Sequence, residues 1–127
     1  MKIAALIARY LLGLIFLVFG LNGFLHFIPM APPSGTAGQF LSALVVSHYM
    51  IVVFLLQIIP AILLLINRYV PLALTLLGPI IVNIFLFHAC MEPKGLPMAV
   101  VVVILWMLVA FRVRSAFSGI LQQRVQG

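Results

Sequence analysis

The sequence predicts an all-α, polytopic membrane protein, a four-helix transmembrane bundle forming one domain over residues 1–127, with both termini cytoplasmic. Three observations lead there. Hydrophobic residues make up 66% of the chain and charged residues 6%, with a mean hydropathy of +1.38. A soluble domain carries about 25% charged residues, so this chain has too little polar surface to coat a water-soluble globule and needs lipid as part of its solvent. Four apolar runs, separated by breaks bearing Pro, Gly or Arg, recur along the chain. The basic residues are also unevenly shared between the connections, and that bias sets orientation. With the amino terminus inside, Lys2, Arg9, Arg68, Arg112, Arg114 and Arg124 fall on the cytoplasmic side, against Lys94 alone outside.

The first span is expected over residues 3–25. Lys2 and Arg9 beside an apolar run mimic a signal peptide. The run is longer than a signal core of about 7–15 residues, so a retained span is expected. Gly20 and Gly23 share one face of it and permit close helix approach, preferably within the chain rather than in a homo-oligomer. Pro29, Pro32, Pro33, Gly35 and Gly38 then stop any helix. Over residues 39–47, Phe40, Leu41, Leu44 and Val45 oppose Gln39 and Ser42, which predicts a short amphipathic helix at the membrane surface.

The second span is predicted over residues 48–66, with Ser47 as its N-cap and a kink at Pro60. The connection Asn67-Arg68-Tyr69-Val70-Pro71 is short enough to force an antiparallel hairpin with the third span, residues 72–88, which holds Gly78-Pro79. A loop from Cys90 to Gly95 carries Glu92, the one acidic residue. Pro97 suits a first helical turn and opens the fourth span, residues 97–111. A polar tail with Arg112, Arg114 and Arg124 follows, and Trp106 and Tyr69 are candidate interfacial anchors.

Several function classes are excluded or disfavoured. The net charge of +6 comes from scattered residues flanking apolar runs rather than from a clustered basic patch, so no nucleic-acid partner is expected. One cysteine, Cys90, excludes an internal disulfide and a CxxC redox pair. Glu92 lies beside Lys94 in a loop, which leaves no self-contained acid–base set and no assignable catalytic residue. Proton-driven carriers place carboxylates inside the bilayer, and this chain has none there. Neither HExxH nor CxxCH occurs, so haem is disfavoured and no metal site is predicted.

Polar side chains within spans are costly and mark candidate sites. They are Asn22 and His26 in the first span, Gln57 in the second, and Asn83 and His88 in the third, with His48 and Thr75 as further polar positions. Two readings stand side by side. The amides serve as interhelical glue and the histidines as interfacial residues. Alternatively, Asn22, His26, Asn83 and His88 converge on a pocket between the first and third spans, which run in the same direction. The segments Asn22-Gly-Phe-Leu-His26 and Asn83-Ile-Phe-Leu-Phe-His88 also echo one another, as an old hairpin duplication would explain.

Arg9-Tyr-Leu-Leu-Gly-Leu-Ile-Phe-Leu-Val-Phe-Gly-Leu-Asn22, His26-Phe27 with the Pro-rich loop through Pro33, Leu-Leu-Leu-Ile66-Asn-Arg-Tyr-Val-Pro71, Pro79-Ile-Ile-Val-Asn83-Ile-Phe-Leu-Phe-His88 and Gly95-Leu-Pro97 together resemble the DoxX-like family of small four-span bacterial membrane proteins. The likeness runs to about Arg114. It implies a bacterial inner-membrane location and a context of membrane redox proteins, since the family name is shared with a subunit of a thiosulfate:quinone oxidoreductase. Asn22, His26, Asn83 and His88 match the family pattern. Gln57 departs from it, standing where relatives often have a glutamate. The expectation is a quinone- or lipid-binding component or accessory oxidoreductase subunit. Asn22, His26, Gln57, Asn83 and His88 are its candidate cofactor-binding residues, membrane lipid and a redox protein its candidate partners. The alternative is a non-catalytic membrane scaffold or assembly subunit.

Overall fold

The computed structural model describes residues 2–29 and 33–125; Pro32 of the expected break lies outside them. The described residues contain no strand. Helix α1 covers Lys2–Leu25, α2 Gly35–Val46, α3 Tyr49–Ile66, α4 Val70–Cys90 and α5 Leu96–Arg112, with 3-10 turns over Pro93–Gly95 and Arg114–Leu121. Helices α1, α3, α4 and, with its leading 3-10 turn, α5 are each long and apolar enough to cross a membrane.

The four long helices enclose one core. Its residues recur every three or four positions, the spacing that keeps side chains on one helical face: Ala8, Leu12 and Phe16 on α1, Ala61 and Leu64 on α3, Leu74, Leu77 and Ile81 on α4, Val102, Leu105 and Val109 on α5. The opposite faces carry Ile7, Leu14, Ile59, Val82 and Ile104, all exposed. Apolar burial inside and apolar exposure outside belong together only where the surroundings are hydrocarbon. Around the bundle the order is α1, α3, α4, α5, and α2 lies on α3. Helices α1 and α4 are therefore diagonal neighbours.

The close approach expected of the first span's glycines occurs within the chain, against α3. A Cβ at Gly20 would lie 2.7 Å from Ile58, and one at Gly23 would run into the Phe54 ring. Trp106, within α5, donates its indole N–H to the carbonyl of Leu74 on α4 at 2.9 Å. The neighbouring Thr75 carbonyl has Pro79 four residues ahead and so no helical N–H to receive.

Some boundaries differ from expectation, and the reasons are local. Helix α2 begins at Gly35, not at residue 39, because Gly38 follows helical geometry and donates its N–H to the Ser34 carbonyl. Ser47 closes α2 and also serves the start of the second span, where its hydroxyl accepts the N–H of Tyr49, the first residue of α3, at 3.4 Å, although His48 holds the cap position itself. The Ser47 N–H goes to the Ala43 carbonyl, and His48, with φ of 64°, makes the turn into α3. Helix α4 runs past its expected ends to Val70 and Cys90, whereas α3 carries Pro60 inside it as expected. Part of the expected polar tail coils into the 3-10 turn Arg114–Leu121.

Candidate functional site

Two cavities open at the pole of the bundle that carries the histidines, one on each side of the first turn of α3. Met50 touches both. The first, of about 620 Å³, lies under α2 between α3 and α4 and takes Gln57, Asn83 and His88 into its wall. The second, of about 630 Å³, lies between the end of α1 and the start of α3 and takes Asn22, His26 and His48. The structure thus separates the four residues expected to converge. Diagonal placement of α1 and α4 puts Asn22 and His26 on one cavity and Asn83 and His88 on the other.

In the second cavity, the His26 backbone and the Asn22 amide oxygen take part in ending helix α1. His26 is not on a face of α1. It stands one residue beyond Leu25, at φ of 53°, and its N–H bonds the Asn22 carbonyl at 2.9 Å. That is the single-bond left-handed C-terminal motif, here built on histidine instead of glycine. The Asn22 amide oxygen accepts the Ile28 N–H at 2.7 Å. Asn22 therefore caps the chain's exit from α1 through its oxygen.

The first cavity is different. Gln57 is 7% exposed, and among the described residues its amide has no hydrogen-bond partner. No polar atom is sealed away from both partner and open space, so the amide reaches the cavity. Gln57 lies about 12 Å along α3 from its first residue, and Asn83 about 10 Å back from the end of α4, so the two line the same cavity at similar depth. Asn83 donates one N–H to the Pro79 carbonyl of its own helix at 3.0 Å, which leaves its second N–H and its oxygen free to serve a ligand. Asn83, Val52, Tyr49 and Phe40 at the rim are exposed, so the cavity is a groove open from the side.

His88 is held firmly. Its Nδ1 lies 3.1 Å from the Glu92 carbonyl, an acceptor only, so Nδ1 carries the hydrogen and a neutral ring keeps Nε2 as its acceptor. The ring stands edge-on to Phe87 at 5.1 Å, and Phe87 meets Phe40 of α2 at 5.8 Å. The same ring covers Gly95, where a Cβ would run into Cε1 and Nδ1. Gly95 is thus a positioning residue that spacing alone did not reveal; only the bare backbone beside a loop admits the imidazole.

The interhelical-glue reading is not what the geometry displays. Asn22 and Asn83 bond their own segments, and Gln57 bonds nothing in the described chain. No three His, Cys, Asp or Glu side chains gather among the described residues. The chain matches no family model, no curated protein and no solved structure.

Proposed function

We propose that this protein binds an amphipathic, ring-headed membrane lipid of the quinone class in the groove between α2, α3 and α4, as a component or accessory subunit of a membrane redox system. Gln57 carries the reading. Its amide opens onto the cavity with its hydrogen-bonding capacity unused by the described residues, and a ligand oxygen or hydroxyl in the groove can take that capacity up. A mostly apolar cavity with a few convergent polar groups is the usual form of a small-molecule site. In this reading Gln57 and the second N–H of Asn83 donate to quinone carbonyl oxygens. Phe40, Tyr49 and Phe87 border the ring, and His88 with Gly95 fixes the groove's mouth. The open side lets an isoprenoid tail remain in lipid. Electrons would be exchanged with a partner protein, since the chain brings no catalytic set of its own. The resemblance to DoxX-like proteins and a place in a bacterial inner membrane, with both termini cytoplasmic, belong to the same proposal.

The test is photolabelling in lipid nanodiscs with an azido-quinone, followed by peptide mapping. Labels on α2, α3 and α4 around Gln57, competed by excess unlabelled quinone, are expected. Labelling that excess quinone does not reduce, or that spreads evenly over the lipid-facing helices, would overturn the assignment and leave the scaffold reading.

A further inference from the structure

At the opposite pole, the inner ends of α1, α3, α4 and α5 surround a third cavity of about 560 Å³. Its wall includes Lys2 and Arg9 of α1, Asn67 after α3, and Arg112 and Ser115 at and after the end of α5. Arg9 is 8% exposed although it lies about 10 Å along α1. Its guanidinium donates to the Leu64 carbonyl and sits 4.5 Å from the Tyr10 ring centre. The Leu64 carbonyl belongs to the last turn of α3. There Asn67, at φ of 56°, and Arg68 close a Schellman motif through bonds to Leu64 and Leu63. A cation at that end also meets the negative pole of the helix dipole.

These contacts account for one of Arg9's five donors, not for its charge. The only carboxylate side chain in the chain is Glu92, at the far pole. Among the described residues, three cations thus share one cavity with no carboxylate in its wall. Bringing like charges together in a partly buried site is unfavourable unless a counter-charge joins them. We infer that this cavity is a binding site for the phosphate of an anionic phospholipid, with Arg9 as its buried anchor and Lys2 and Arg112 as its exposed flanks. Basic pockets between transmembrane helices are suited to such head groups, and the planar guanidinium matches phosphate oxygens two at a time. Asn67 and Ser115 supply neutral hydrogen-bonding groups beside them.

The experiment is native mass spectrometry of protein taken from nanodiscs of phosphatidylcholine doped with phosphatidylglycerol. Wild-type protein should retain phosphatidylglycerol about tenfold or more beyond its share of the bilayer. Arg9→Met should abolish the preference. If that variant does not fold, the doubly substituted Lys2→Gln, Arg112→Gln protein carries the test, because both side chains are exposed, and it should lose most of the preference. Arg68→Gln and Arg124→Gln, exposed cations outside the cavity, should leave it intact. Equal retention of both lipids would overturn the inference, as would an equal loss on Arg68→Gln, which would mark a general surface charge. Displacement of the lipid by millimolar inorganic phosphate would mean a free-anion site and overturn the lipid assignment.

Discussion

The two poles of this bundle solve the same problem in opposite ways. Each places polar side chains where hydrocarbon would otherwise be. At the histidine pole the groove is lined by neutral amides and an imidazole, and its most buried polar group, Gln57, has no partner in the described chain. At the arginine pole the most buried polar group, Arg9, is partnered by a helix-terminal carbonyl but carries a charge that no described residue in the cavity wall balances. An unpartnered neutral amide is satisfied by a ligand's hydrogen bond. An unbalanced cation is satisfied only by an anion. On the two proposals the ends select different molecules, and changing one should leave the other untouched.

The sharpest division between the poles is the compartment each faces, and Cys90 reads it all or none. It is exposed at the histidine pole. With both termini cytoplasmic, as the six-to-one basic bias favours, a membrane-impermeant maleimide added to intact cells should label Cys90. Labelling only after the membrane is opened would reverse the orientation of both sites.

Next in size is Gln57→Leu. It should weaken quinone binding about tenfold or more, the loss of one well-made hydrogen bond to a buried group, while thermal stability stays level or rises, because no protein bond is broken. Unaltered quinone affinity by equilibrium titration would remove Gln57 from the site. Retention of phosphatidylglycerol should not change, and a parallel loss would break the independence of the poles.

Gly95→Ala tests the groove's wall. The new methyl would occupy the space of the His88 ring, and displacing a side chain held by a backbone bond should destabilise the bundle by about 1–3 kcal/mol. Quinone affinity should fall with it. Wild-type stability in detergent unfolding and wild-type affinity together would show that His88 does not set the groove. The smallest expected effect is that of Trp106→Phe, which removes the α5–α4 bond to Leu74 at mid-bundle. About 0.6 kcal/mol is typical of such a bond in a membrane. Binding at either pole should be unaffected, and a change at one of them would reveal coupling through α4 or α5.

Much of this was legible from the residues. Lengths and composition of the apolar runs identified four helices, because a backbone in hydrocarbon must satisfy its hydrogen bonds internally and a bilayer sets how long each helix must be. Gly20 and Gly23 announced a close contact, and the polar side chains within spans were visible as costly exceptions. Which of them meet was not legible. Asn22, His26, Asn83 and His88 share sequence patterns and run direction, yet packing order around the bundle, α1 to α3 to α4 to α5, decides that they line two cavities. That order follows from how small and large core residues interlock across helices, which no single helix's periodicity contains. Nor does spacing tell that His26 falls past the end of α1, that Gly95 lies beneath His88, or that Arg9 and Arg112, about a hundred residues apart, share one cavity. Helix existence is a local matter of composition and length; a site is a matter of which faces are brought together, and tertiary packing alone settles that.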